Sequence, residues 1–138
     1  MGNNYSINKV NFESVQKIIN RDIKSLTDDF IIINTLDLNK QECLIKNTIE
    51  ANMESEIINN YLNNNKKINI LIYGENCSDT KVIHKYNQLY SLGFANLYVY
   101  VGGLFEWLLL QDIYGDDEFP TTTRILDLLN YKGKNNIK

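Results

Sequence analysis

One stretch, residues 68–107, constrains the fold of this chain more than any other. It opens with an apolar run (68–73), passes through a small polar loop into an amphipathic segment, and reaches a second apolar run (95–101). Short apolar runs that alternate with helical periodicity are typical of parallel β-α-β units. In such units, ligands bind where the carboxyl end of a strand meets the next helix. The sequence therefore predicts a candidate site in the loop Gly74, Glu75, Asn76, Cys77, Ser78, Asp79 and Thr80.

The remaining patterns complete one α/β domain spanning residues 1–138, a length that can bury a core without metal or disulfide support. Helices are predicted over residues 12–23, 54–62, 78–92 and 104–114, and a last one from Thr121 or Thr122. Buried strands are predicted over residues 30–33, 68–73 and 96–101, and a strand or loop over 43–49. Ser78 is expected to cap the third helix and Gly93 to end it. The buried face of this helix is predicted to consist of Val82, Tyr86, Leu89 and Tyr90. Residues 132–138 are expected to form a flexible tail.

Composition excludes several classes of function. The formal net charge of −3 predicts no nucleic-acid partner, because no basic face is visible. Cys43 and Cys77 lack CxxC spacing and are expected to be free thiols in a reducing compartment. Together with His84, the one histidine, they are too few for a zinc site, so neither a metal nor a cofactor is predicted. His84 is expected to be exposed, and Gly102-Gly103 to be a structural turn rather than a phosphate loop.

The amino terminus fits the N-myristoylation pattern M-G-x-x-x-[ST], with Gly2 as acceptor and Ser6 at the required position. A Met-Gly start also arises by chance, and that alternative stays open. No apolar stretch approaches the roughly 18 residues that span a membrane. No cleavable secretory signal is expected either, because the first ten residues are mostly polar. The expected location is cytoplasmic, with peripheral membrane association if Gly2 carries a lipid.

Four segments resemble the single-domain rhodanese (sulfurtransferase) superfamily. Residues 93–100 resemble its "LGF-x-NVYVL" strand, 102–107 its "GG-x-x-x-W" turn and helix, 70–73 the strand before its active loop, and 43–49 the place of its "GHIPGAI" segment. The resemblance implies an α/β fold: a three-layer sandwich whose mainly parallel, five-stranded sheet is flanked by helices.

The active loop departs from the pattern of this family. The position of the nucleophilic cysteine is Gly74, and that of the arginine that closes the loop is Asp79. Glu75 adds a second carboxylate, and carboxylates disfavour both a thiolate and an anionic substrate. The early Asp-x-Arg signature reads Asn34-Thr35-Leu36. The sequence therefore predicts a pseudoenzyme that acts as a binding or regulatory module with a protein partner.

Two alternatives remain open from the sequence. Cys77, at the fourth loop position, is a candidate nucleophile for an unconventional sulfurtransferase or thiol-redox protein, against the plainer interpretation of a space-filling loop residue. The other alternative is a structural role in a membrane-associated assembly.

Trp107 is expected in the core rather than at an interface, and residues 112–118 are expected to form a solvated acidic loop.

Overall fold

The computed structural model describes residues 7–20 and 29–137. Its helices are α1 (Phe12–Ile19), α2 (Ala51–Asn64), α3 (Lys81–Ser91) and α4 (Gly103–Tyr114). Its strands are β1 (Lys9–Val10), β2 (Phe30–Asn34), β3 (Asn69–Tyr73) and β4 (Leu97–Tyr100). Two 3₁₀ turns, Leu38–Lys40 and Leu128–Tyr131, complete the regular structure of the described ranges.

The strands form one parallel sheet in the order β1-β4-β3-β2. β3 lies between β2 and β4, with Ile72 paired to both Ile33 and Val99. A parallel strand covered on both faces reads as an unbroken apolar run, which is why the sequence of β3 does not alternate. β1 was not predicted from the sequence, because two residues are too short to carry a periodic pattern.

Side chains leave the sheet alternately towards two apolar layers. On β3, Ile70 and Ile72 face the layer formed by α2 and α3, whereas Leu71 and Tyr73 face the layer formed by α1 and α4. The three-layer α/β sandwich implied by the family resemblance is therefore confirmed. Trp107, which is fully buried, lies in the α1/α4 layer, so its prediction as a core residue is also confirmed.

Within residues 7–20 and 29–137 the sheet has four strands rather than the expected five. The segment 43–49 forms no ladder with a described strand, and its β-pairing is limited to two isolated bridges, Ile32 to Thr48 and Ile45 to Thr121. Asn47 adopts a positive φ of 72°, and the Thr48 hydroxyl donates to the carbonyl of Ile45, so the backbone turns instead of extending along β2. The sequence allowed a strand or a loop here, and the structure places a turn.

The predicted carboxyl-terminal helix is wrong. Thr121 forms the bridge to Ile45, and the Thr122 hydroxyl accepts the amide of Leu44 at 3.0 Å. These contacts with a distant part of the sequence hold the segment extended. The only regular element that follows within the described residues is the 3₁₀ turn Leu128–Tyr131. Residues 132–137 form no regular element.

Three helix details also differ from prediction. α1 ends at Ile19, and Ile23 lies outside the described residues. α3 begins at Lys81, three residues after the predicted cap Ser78, and Tyr90, expected on its buried face, is 48% exposed. Gly93 follows α3 with a φ of +106°, as a helix-ending glycine should. No helix within the described ranges is both long and apolar enough to cross a membrane.

Candidate functional site

The loop 74–80 leaves the carboxyl end of β3 and lies against the start of α4. The carbonyls of Gly74 and Glu75 accept the amides of Leu104 and Phe105, each at 2.9 Å. Gly103 makes this approach possible: its φ is +70°, and a Cβ there would lie 2.7 Å from the Gly74 carbonyl oxygen. The "GG" turn of the sequence is therefore a structural contact with the loop, as predicted.

The carboxylate of Asp79 lies inside this loop and accepts three hydrogen bonds. Its Oδ2 accepts from the Thr35 hydroxyl at 2.9 Å and from the Glu75 amide at 3.1 Å. Its Oδ1 accepts from the Lys81 amide at 3.0 Å, at the first turn of α3. Backbone amides at such a strand-to-helix turn are the usual donors to a bound anion. Here two of those amides are taken by an anion that belongs to the chain.

Gly74, at the nucleophile position implied by the resemblance, has no room for a side chain. A Cβ at Gly74 would lie 2.5 Å from Asp79 Oδ2 and 2.7 Å from Val82 Cγ2. Real Cβ atoms essentially never lie this close to another heavy atom, so the side chains of Asp79 and Val82 would have to shift. The glycine at position 74 and the inward carboxylate of Asp79 therefore depend on each other.

The carboxyl-terminal segment supports the loop from the outside. Asn76 Nδ2 donates to the carbonyl of Tyr131 at 3.0 Å. Lys40 pairs with Glu75 at 3.0 Å and lies 5.5 Å from the centre of the Tyr131 ring. Glu75, which the sequence placed beside the loop as a second negative charge, is thus neutralised by Lys40.

The side chain of Cys77 is exposed on the outer side of the loop. Its sulfur lies 4.0 Å from the Ser78 hydroxyl, at the edge of a small cleft of about 160 Å³ that Val82 and Tyr100 also line. α3 starts four residues further on, at Lys81, so Cys77 is not at its first turn. The other cysteine, Cys43, is buried, and burial raises the pKa of its thiol. Both cysteines are free thiols, as the sequence predicted.

Residues 34–36, which the resemblance aligns with the Asp-x-Arg signature, contribute hydrogen bonds that hold the backbone rather than charge. Asn34 is buried, and its Oδ1 accepts from the Leu36 amide and from Gln41 Nε2. Asn34 therefore fixes the backbone of the turn that presents Thr35 to Asp79. Sequence reasoning missed Thr35 and Lys40, although Thr35 is the middle residue of the segment aligned with the Asp-x-Arg signature.

A shallow groove of about 500 Å³ runs beside the loop between α2 and α3. Lys81 and the exposed His84 lie on its wall. Lys81 also pairs with Asp37 at 2.8 Å, and this hydrogen bond lowers the pKa of Asp37 and raises that of Lys81. A second lysine on this wall, Lys85, pairs with Glu54, so both lysines that line the groove are already engaged.

Comparison with solved structures identifies the fold. The Alr3790 protein from Anabaena sp. matches with a TM-score of 0.59 at 20% identity, over 88% of this chain and 97% of that one. A rhodanese-like domain of the same protein matches with a TM-score of 0.51 at 21% identity, over 70% of this chain and 95% of that one. Ygr203w, described as a yeast protein tyrosine phosphatase of the rhodanese family, matches with a TM-score of 0.59 at 19% identity, over 90% and 98%. No family model and no curated protein sequence matches the chain.

This chain has a rhodanese-like fold, as its sequence resemblance implied. Identities near 20% establish the fold alone, so the activity must be argued from the site. That site has a glycine, a carboxylate and engaged amides at the positions where the family resemblance implies a cysteine, an arginine and an anion cradle.

Proposed function

We propose that this protein is a rhodanese-like binding or regulatory module without standard thiosulfate sulfurtransferase activity. One observation carries the proposal: the Asp79 carboxylate accepts the Glu75 and Lys81 amides and fills the space beside Gly74. A substrate anion would have to displace a carboxylate that is covalently part of the loop. Intramolecular ligands of this kind have a high effective concentration.

Sulfur transfer makes chemical demands that this loop does not meet. A cysteine thiolate must attack the outer sulfur of thiosulfate, the S–S bond must break, and sulfite must leave with the bonding electrons. Backbone amides and a cation normally stabilise the charge on this path. Here Gly74 has no nucleophile, and the nearby Lys40 is paired with Glu75.

Intact-mass spectrometry tests the proposal. The native-sequence protein is incubated with thiosulfate, and separately with 3-mercaptopyruvate and a partner sulfurtransferase, beside an ordinary rhodanese loaded in the same buffer. We expect the ordinary enzyme to gain the mass of one sulfur atom and this chain to gain none. A gain of sulfur by this chain would overturn the proposal.

Cys77 supports the second candidate, an unconventional sulfurtransferase or thiol-redox protein, because its thiol is exposed beside a cleft. In that case Cys77 would carry the persulfide, and Cys77→Ser would abolish the added sulfur. The rate of alkylation by iodoacetamide near neutral pH is a second readout. A rate no faster than that of a free cysteine in a denatured control argues against this candidate.

Phosphatase chemistry, which the description of Ygr203w raises for that protein, finds less support here. A phosphate monoester needs the same amide cradle, and no arginine lies in residues 74–80. Hydrolysis of p-nitrophenyl phosphate is expected to equal that of a Cys77→Ser control. A Cys77-dependent rate would favour the phosphatase reading.

Membrane tethering through Gly2 remains part of the proposal, and Gly2 lies outside the described residues. A single myristoyl chain gives only marginal, reversible attachment. Both forms are expressed in a cell with N-myristoyltransferase, and the cells are fractionated. The native chain should be found with the membranes and the Gly2→Ala variant in the supernatant. An identical distribution of the two forms would exclude the tether.

A further inference from the structure

We infer that the solvent-facing side of α4 is a docking surface for a basic amphipathic helix of a partner protein. The inference rests on the proposed function, because it names the partner class of the binding module. It concerns a surface formed by Leu109, Asp112 and Ile113 with the adjoining Asp117 and Glu118, called here the α4 outer face.

The first observation is that α4 is apolar on both sides. Its inner side carries the buried Leu104, Trp107 and Leu108. Its outer side carries Leu109 and Ile113, which are 39% and 70% exposed. A surface helix normally has charged residues opposite its buried stripe, and a helix that is apolar all round is normally covered on all sides.

The outer apolar residues have the spacing of a helix-binding stripe. Leu109 and Ile113 are four residues apart, and the half-buried Phe105 precedes them by another four. Residues at this spacing lie on one helical face. Eight residues of helix rise about 12 Å, which matches roughly two turns of a second helix packed alongside.

The charges beside this stripe are mainly negative. Asp112, Asp117 and Glu118 are exposed and form no ion pair with any described residue. Asp116 pairs with Arg124 at 3.6 Å, and both line a separate groove with Lys46 and Gln111. The carbonyl end of α4, at Tyr114, adds partial negative charge at the same place.

Charge therefore selects among the occupants of an apolar face. A second copy of this chain would place the same acidic patch on both sides of a two-fold interface, and none of the five residues of the α4 outer face is basic, so nothing in the patch would neutralise the carboxylates. An anionic lipid surface would meet the same repulsion. A helix with leucines on one face and lysines at its margins would bury Leu109 and Ile113 and neutralise the carboxylates.

The probe is a synthetic helical peptide of about 18 residues, with leucines at helical spacing flanked by lysines. The control peptide has the same leucines flanked by glutamates. Binding to the full-length chain is measured by fluorescence anisotropy at several salt concentrations. We expect the lysine peptide to bind and the glutamate peptide not to bind, with affinity that falls as salt rises.

Matched variants locate the binding on the molecule. Leu109→Ser combined with Ile113→Ser should weaken binding at least about tenfold, because two exposed apolar anchors are lost. Leu126→Ser is the control, since Leu126 is 93% exposed but lies outside α4. That control should bind within about twofold of the native chain. Asp112→Asn with Asp117→Asn should reduce the salt dependence.

Several results would overturn the inference. These are equal binding of the two peptides, no binding of the lysine peptide, and unchanged binding by the Leu109→Ser, Ile113→Ser variant. Sedimentation that shows a dimer abolished by that variant would assign the face to a second copy. Co-flotation of the non-lipidated protein with anionic vesicles, lost in that variant, would assign it to a membrane. None of these results depends on whether sulfur is loaded, so failure here is separable from failure of the proposed function.

Discussion

Asp79 has two roles that are easily confused at the scale of single residues. Read along the sequence, it is a negative charge in place of an arginine, which suggests only that anions are repelled. In the structure, it is also the acceptor for Thr35, Glu75 and Lys81, so it holds the loop together. Its loss would therefore weaken the fold as well as change the charge.

Replacing Asp79 by alanine should destabilise the protein by about 1–3 kcal/mol, because partly buried donors lose their acceptor. Asp79→Asn should cost less, since one amide oxygen can still accept. The free energy of unfolding is measured by urea denaturation. Equal stability of the alanine variant and the native chain would contradict the role of Asp79 as an internal ligand.

Gly74→Ala should destabilise the protein by roughly 1–3 kcal/mol through overpacking. The cause is the short distance from its Cβ to Asp79 and Val82. Gly133→Ala is the matched control, because its Cβ would have ordinary contacts, the nearest at 3.5 Å. In the Gly74→Ala, Asp79→Ala double variant the two costs should add only in part, because Asp79→Ala removes the closest contact, to Oδ2, and leaves those to Val82 Cγ2 and to the Cβ at position 79. Strict additivity would show that positions 74 and 79 are not coupled.

At the scale of elements, Tyr73 explains how the segment 43–49 is held beside the sheet although it does not form a fifth strand. Its hydroxyl accepts the amide of Ile45 at 3.1 Å and shares a hydrogen bond with Thr48 at 2.9 Å. A side chain at the end of β3 thus helps to anchor the segment 43–49, whose β-pairing is limited to two isolated bridges.

Tyr73→Phe should therefore cost about 1–3 kcal/mol, because the buried amide of Ile45 is left without an acceptor. Amide hydrogen exchange at Ile45 and Thr48 should accelerate, while exchange in β3 and β4 changes less. Tyr61→Phe on α2 is the control, since its hydroxyl forms no hydrogen bond with a described residue. Uniform acceleration across the sheet in Tyr73→Phe would argue against a local anchor.

The central elements could be predicted from sequence because local patterns determine them. β3, β4, α3 and α4 all lie in the stretch 68–107 or directly after it, where each apolar run is bounded by glycine or a polar loop. The departures at Gly74 and Asp79 could be read there too. The extended backbone at Thr121 could not be predicted, because its partner Ile45 lies 76 residues away in the sequence and only this tertiary contact holds it extended.

The sequence also could not show that the Asp79 carboxylate already accepts the amides of the loop. Whether the Asp79 carboxylate faces solvent or the loop depends on Thr35, which follows a different strand. The same holds for Lys40, whose pairing with Glu75 changes a repulsive charge into a neutral pair. Charge counting in one loop omits partners that the fold brings from elsewhere.

For the whole molecule, the buried ionisable groups place the pH sensitivity on the alkaline side. Burial raises the pKa values of Cys43, Tyr73, Tyr100 and Tyr131 above their ordinary values. The pKa of Tyr100 is raised further because its hydroxyl donates a hydrogen bond to the Glu106 carboxylate, which a phenolate could not do. In each case the folded chain holds a proton that the unfolded chain releases more easily.

The stability of the native chain should therefore fall above about pH 9, where the unfolded state begins to lose the Cys43 proton, and more steeply above about pH 10, where the tyrosines join. Below these values the contribution is fully present, since both states are protonated. Each such group adds a slope of up to about 1.4 kcal/mol per pH unit. Thermal unfolding from pH 7 to 11 measures the slope, and Tyr73→Phe should make it shallower. An unfolding temperature that stays constant to pH 11 would mean that these groups titrate alike in the folded and unfolded chains.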